Sequence, residues 1–174
     1  YSLGYNVLAA DARAHGDSEG TTIGMGWPER FDVIEWIKLI ISWDSNAQII
    51  LHGVSMGAAT VLMASGEELP ENVKAIIADC GYTSEWDEFK CEANALHIPW
   101  FPVLNAASVL SRLRDGYDFK QASALEKVKQ SRIPTLFIHG SDDELVPYSM
   151  LDKLYSAAAC EKECLTVNGA GHAL

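Results

Sequence analysis

Short apolar runs alternate with stretches of helical periodicity along this chain. Residues 5–11 read as a buried strand, and a polar, glycine-containing loop follows through Gly26. Pro28 suits the first turn of a helix. Beyond it Phe31, Ile34, Ile37 and Ile41 recur at helical spacing, with Val33, Trp36 and Ile40 broadening the apolar face. Residues 47–52 predict the next strand. Residues 56–65, rich in Ala, Leu and Met, predict a helix packed closely on a sheet. Further strands are expected over residues 73–79, 134–139 and 165–168, with helices over 122–130 and 147–159. Strands separated by helices require crossover connections. The expected class is therefore α/β, a three-layer α/β/α sandwich around a mostly parallel sheet.

One stretch breaks this rhythm. Residues 82–121 carry Trp86, Phe89, Trp100, Phe101, Tyr117 and Phe119, with Pro99 and Pro102 as breakers. A structureless loop of that length is rare inside a compact domain, so a helical lid or cap inserted in the domain is expected. The competing reading is a surface excursion whose aromatics anchor it to the body.

Composition narrows the classes. The chain has 174 residues, 48% of them apolar and 21% charged, which excludes intrinsic disorder and suits one domain with a sizeable core. A net charge of −11 argues against nucleic acid and against an anionic membrane surface, both of which call for clustered Lys and Arg. No apolar run approaches the roughly 18 to 20 residues of a membrane helix. Cys80, Cys91, Cys160 and Cys164 form no C-x-x-C pair, so neither a disulfide scaffold nor a zinc site is expected.

Gly53-Val54-Ser55-Met56-Gly57 is a G-x-S-x-G sequence with an Ile-rich strand running into it and an Ala-rich helix running out. A sharp turn there would lift the Ser55 hydroxyl above the strand end. The flanking glycines are expected where side chains would collide with neighbouring backbone. The Met56 backbone N–H, at the helix N-terminus, would point at the same spot as an oxyanion donor.

A serine hydroxyl needs a neighbouring base, and the base an orienting carboxylate. His52 and His139 end core strands and are expected to be structural; His15 and His97 lie in a loop and in the insertion. His172 follows the final strand in Asn168-Gly-Ala-Gly-His172, so a parallel sheet brings it to the edge that carries Ser55. Asp142, Asp143 and Glu144 follow the preceding strand and could each supply the acid. Asp79, at another strand end, competes.

Asp11-x-Arg13-x-His15-Gly16-x-Ser18, Gly53-x-Ser55-x-Gly57, His139-Gly140-x-x-Asp143-x-x-Val146-Pro147 and Gly169-x-Gly171-His172 resemble four successive landmarks of the α/β-hydrolase superfamily. The nearest flavour is that of serine aminopeptidase-like and prolyl-oligopeptidase-like hydrolases, bacterial cell-surface hydrolases included. The resemblance implies Ser55 as nucleophile, Asp143 as acid and His172 as base, with Asp11 to Ser18 a structural loop beside the site. It implies hydrolysis of a small-molecule or peptide ester or amide, with no cofactor and no metal. Trp86, Trp100 and Phe101 become candidate contacts for an apolar acyl group. The rival readings are acyl transfer by the same three residues and a non-catalytic binding module on the same scaffold.

The resemblance also implies that residues 1–174 are part of one larger domain. A further strand, a second oxyanion donor and about a hundred residues are expected upstream of Tyr1. The protein is then cytoplasmic, or held at the cell surface by an upstream anchor. Nothing in the sequence fixes an oligomeric state.

Overall fold

The computed structural model describes residues 3–173. Its elements run α1 (Glu29–Trp43), β1 (Ile49–Val54), α2 (Met56–Ala64), β2 (Val73–Asp79), α3 (Glu85–Ala95), α4 (Trp100–Asp115), α5 (Ala124–Val128), β3 (Thr135–Gly140), α6 (Ser149–Ala157) and β4 (Lys162–Val167). The four strands form one sheet in the order β1-β2-β3-β4, and every neighbouring pair is parallel. This is the α/β architecture expected from the alternation of strand and helix patterns.

Strand polarity explains the layering. Along β1 burial alternates, with Ile49, Leu51 and Gly53 inside and Ile50, His52 and Val54 outside. The inner face receives α2, which is buried from Ala58 to Ala64 because its residues are apolar or small on every side. From α2 a continuous helical layer extends to α1 and α5, and from α5 to α6. Ile37, Leu62, Met63, Ile76, Phe137 and Leu154 are each at most 1% exposed at its centre. Glu67 clamps this layer at its edge, accepting from Arg30 at 2.8 Å and pairing with Lys127 at 2.7 Å. The first turn of α1 is held by Glu29, whose two oxygens accept the Gly24 and Gly26 N–H groups.

One expectation fails and two are adjusted. Residues 5–11 form no strand and lie exposed, because among the described residues no strand borders β1 on its free edge to complete a ladder. The last strand starts at Lys162, three residues before the apolar run that marked it, since register with β3 sets its length and not its own hydropathy. On α1, Phe31 and Trp36 are exposed and Ile37 alone of the apolar face is fully buried. Within residues 82–121 the chain forms α3 and α4, which pack on each other. Ser84 caps α3 by accepting the Asp87 N–H at 3.1 Å. Leu104, Ser108 and Ser111 turn α4 inward. Among the described residues no helix is long and apolar enough to cross a membrane.

Candidate active site

The sheet brings its strand ends to one edge. Ser55 follows β1 directly and stands at the start of α2 with φ 54° and ψ −118°. That backbone is strained for a residue with a Cβ, by about 1–3 kcal/mol. It is held by the Ser55 N–H, which donates to the Asp79 carbonyl at 2.8 Å, and by Ala59 N–H, which donates to the Ser55 carbonyl at 3.0 Å. Gly53 is required: a Cβ there would run into the backbone of Gly57 and Ala58. Gly57 is not required sterically, since a Cβ on it meets open space. The turn therefore needs one of the two glycines for close packing, a correction to the sequence reading.

Ser55 Oγ lies 2.9 Å from His172 Nε2, and the opposite ring nitrogen, Nδ1, lies 2.8 Å from Asp143 Oδ2. The Asp143 side chain is fully buried. Its other oxygen accepts the Leu145 and Val146 N–H groups at 3.0 and 2.9 Å, so the carboxylate is locked before the imidazole arrives. Asp142 is exposed and accepts from the Ser141 hydroxyl at 2.7 Å. The His172 loop is seated on β3: Asp142 N–H donates to the Ala170 carbonyl, Gly169 N–H to Ser141 Oγ, and a Cβ on Gly140 would strike the Ala170 carbonyl.

The other candidates go elsewhere. His52 faces out from β1, His97 is exposed beyond α3, and His15 Nδ1 sits 2.9 Å from the Arg13 carbonyl. Asp79 serves through its backbone carbonyl. The Asp11–Ser18 loop closes on itself, with Asp17 N–H and Ser18 Oγ donating to Asp11, and Arg13 anchors it to Asp32 on α1 with two bonds of 2.6 and 2.7 Å. Met56 opens α2, so its N–H has no partner within the helix and stands beside Ser55. Trp100 packs edge to face against both Trp86 and Phe101, with Lys120 over Trp86 and Lys90 over Trp100.

Three further groups take roles at or near the site: His139 as the structural residue expected from the sequence, and Cys80 and the pair Glu85 and Glu88, to which the sequence assigned none. His139, fully buried, donates from Nε2 to the Val146 carbonyl at 2.9 Å and lies 3.2 Å from Asp143 Oδ2, so it supports the carboxylate directly. Cys80 follows β2 with φ 47° and is fully buried. Desolvation pushes its thiol up to about 11. Its sulfur, Asp143 and His172 place potential ligand atoms within 4.8 Å of one another. Asp143 and His172 spend theirs on each other and Cys80 stays protonated, so the trio does not suit a metal ion. Glu85 and Glu88 are buried on α3, each with an oxygen lacking a partner. Burial raises Glu85 to about 8, helped by Glu29 and Asp115, and Glu88 to about 7, helped by Glu92 and Asp143. Only the tertiary contacts of α3 could have revealed them, since acidic first turns are ordinary on exposed helices.

A parallel sheet with a strained serine between strand and helix, facing a histidine from the last strand's loop, defines an α/β-hydrolase. The solved structure of the Pyrococcus furiosus esterase Pf2001 superposes with a TM-score of 0.76 at 24% identity, covering 98% of this chain and 64% of that one. The X-Pro dipeptidyl-peptidase (S15 family) matches residues 2–119, about two thirds of the chain, and the chain belongs to that family. YqkD of Bacillus subtilis is 32% identical across 99% of this chain and 57% of its own length. The lysophosphatidylserine lipase ABHD12 of Macaca fascicularis is 32% identical across 91% of this chain and 39% of its own. The chain thus spans about half the length of the curated relatives it matches; a lipase stands among those relatives, and an esterase and an acylaminoacyl peptidase among the proteins that share its fold.

Proposed function

We propose that the protein is a serine hydrolase that cleaves a carboxylic ester, or an amide or peptide bond, through an acyl-enzyme on Ser55. The observation that carries this reading is the unbroken hydrogen-bonded line from Ser55 Oγ through His172 to a buried, pre-oriented Asp143. Asp143 accepts from Nδ1–H and so keeps Nε2 free of a proton and facing the serine. His172 takes the hydroxyl proton as Oγ attacks the substrate carbonyl carbon. Charge developing on the carbonyl oxygen falls at the N-terminus of α2, where the Met56 N–H donates to it. Collapse of the tetrahedral intermediate breaks the bond to the leaving group, which receives the proton from His172. Water then repeats the sequence on the acyl-enzyme and releases the acid.

Residues 82–121 act as a cap beside this site. The coupling of Glu88 to Asp143 supports that placement, and the Trp86–Trp100–Phe101 stack offers apolar surface for an acyl group or side chain. The test is labelling of the full-length protein with a fluorophosphonate probe. The native protein is expected to label and the Ser55→Ala variant to remain unlabelled. A native protein that stays unlabelled beside a reactive control esterase would leave the scaffold a binding module.

A further inference from the structure

A cavity of about 250 Å³ lies between α3, α4 and the loop that precedes α1. Ser55, Asp143 and His172 take no part in its lining. Its walls are mostly apolar: Phe89 and Phe119 meet edge to face at 5.0 Å, and Tyr117 stands beside them. Ile23 and Leu110 are exposed and mark the side on which it opens. Glu85 also lines it, from the first turn of α3, and is only 3% exposed. Its Oε2 has no hydrogen-bond partner among the described residues. The groups around it do not neutralise it. Glu29 of α1 spends its two oxygens on the Gly24 and Gly26 N–H groups. At the end of α4, Asp115 stands 3.7 Å from Arg114, which is itself exposed and reaches Thr22 Oγ1 at 3.4 Å. Burial keeps Tyr82 and Tyr117 protonated. On α3 itself Glu88, one turn further on, is buried with an unpartnered oxygen of its own.

We propose that this cavity binds a small organic ammonium ion, an apolar or aromatic body carrying one protonated amine, with Glu85 as its counter-ion. The size is adequate: an apolar cavity of roughly 150 Å³ takes up a benzene ring, so 250 Å³ leaves room for a ring and a short amine arm. Aromatic walls cover the hydrocarbon body and attract a cation over their faces. A buried carboxyl oxygen without a partner is costly, and an N–H from the ligand removes that cost. A metal ion suits the site poorly. Mg²⁺ or Ca²⁺ asks for about six oxygens or more, whereas the lining supplies two carboxylates and the Ser111 hydroxyl, which already donates to the Tyr117 carbonyl at 3.0 Å. An anion would be repelled by Glu85 and Asp115, and the chain's charge of −11 favours the approach of a cation. Desolvation holds the Glu85 carboxyl at about 8, with Glu29 and Asp115 adding to it, so the group is mostly protonated at neutral pH. The ligand must displace that proton to pair with it, which ties binding to proton release. The inference does not rest on the chemistry assigned to Ser55.

The experiment is isothermal titration calorimetry of the full-length protein with 2-phenylethylammonium chloride. The native protein is expected to bind it, and to bind 2-phenylethanol and 3-phenylpropionate about tenfold or more weakly. Affinity is expected to rise about tenfold per pH unit from about pH 6 to about pH 8 and then to level off. Below that plateau about one proton leaves for each ligand bound, read from titrations in buffers of different ionisation enthalpy. Glu85→Gln keeps the shape of the side chain and removes its charge. It is expected to lower affinity about tenfold or more and to abolish the proton release, with an unchanged circular dichroism spectrum. Ala107→Phe, which fills the cavity from α4, is expected to abolish binding with Glu85 intact. Absence of binding by the native protein, equal binding of the alcohol, or an affinity that ignores pH would overturn the proposal. So would undiminished binding by either folded variant.

Discussion

Replacing Asp143 by Asn changes one atom and should disable the site through the tautomer of His172. The reason lies in what surrounds the carboxylate. One oxygen already accepts two backbone N–H groups, from Leu145 at 3.0 Å and Val146 at 2.9 Å. An Asn side chain must keep its carbonyl oxygen there, since the reverse orientation would set an NH2 group against two donors in a site with no water access. Its NH2 group then occupies the position of Oδ2 and faces His172 Nδ1, 2.8 Å away. It can only donate, so Nδ1 becomes the acceptor and the proton moves to Nε2, which can no longer take the Ser55 proton. A wrong-tautomer defect of this kind costs about 10⁴-fold in kcat, or roughly 5.4 kcal/mol in the barrier. The assay is steady-state hydrolysis of a nitrophenyl ester by the full-length protein, with circular dichroism to confirm folding. Asp142→Asn, on the exposed neighbour, should leave kcat within about threefold. Comparable losses in the two variants, both folded, would refute the reasoning.

Two further outcomes follow from other parts of the molecule. Glu85 has a folded-state value raised to about 8, so ionising it opposes folding: the penalty is absent below the ordinary carboxylate range, grows between about pH 4.5 and 8, and is complete above. Glu85→Gln should therefore gain on the native protein by about 1.4 kcal/mol per pH unit through that window in urea denaturation; a difference independent of pH would refute the assignment. Trp86→Ala and Trp100→Ala should shift preference toward shorter acyl chains, raising KM for long-chain esters about tenfold with kcat little changed; an unaltered chain-length profile would make the aromatic stack an anchor only.

Periodicity is a local property, and it carried the layout of this protein far. Ile49 to Val54 running into Gly53-x-Ser55-x-Gly57 and on into an all-apolar helix is legible without any neighbour, because each residue's preference agrees with the next. Parallel strands then oblige the loops after β1, β3 and β4 to share an edge, which is why a serine, a carboxylate cluster and a histidine could be named together. Residues 5–11 show where that ends. Their composition suits a strand, but a strand exists only when another offers it hydrogen bonds, and none of the described residues does so.

The sequence by itself determined which residue types meet at the sheet edge. Only the tertiary structure decided which of them touch. Ser55 and His172 lie 117 positions apart and are joined by 2.9 Å, a contact that no local pattern encodes. Asp143 differs from Asp142 in nothing but direction: its side chain turns inward onto two backbone donors and the other turns out to Ser141. Gly53 is indispensable and Gly57 is not, because backbone crowds only the first. The burial of Glu85 and Glu88 and the exposure of Leu110 and Leu113 likewise reverse what polarity alone would assign, since burial is settled by what packs against a helix and not by the helix's own residues.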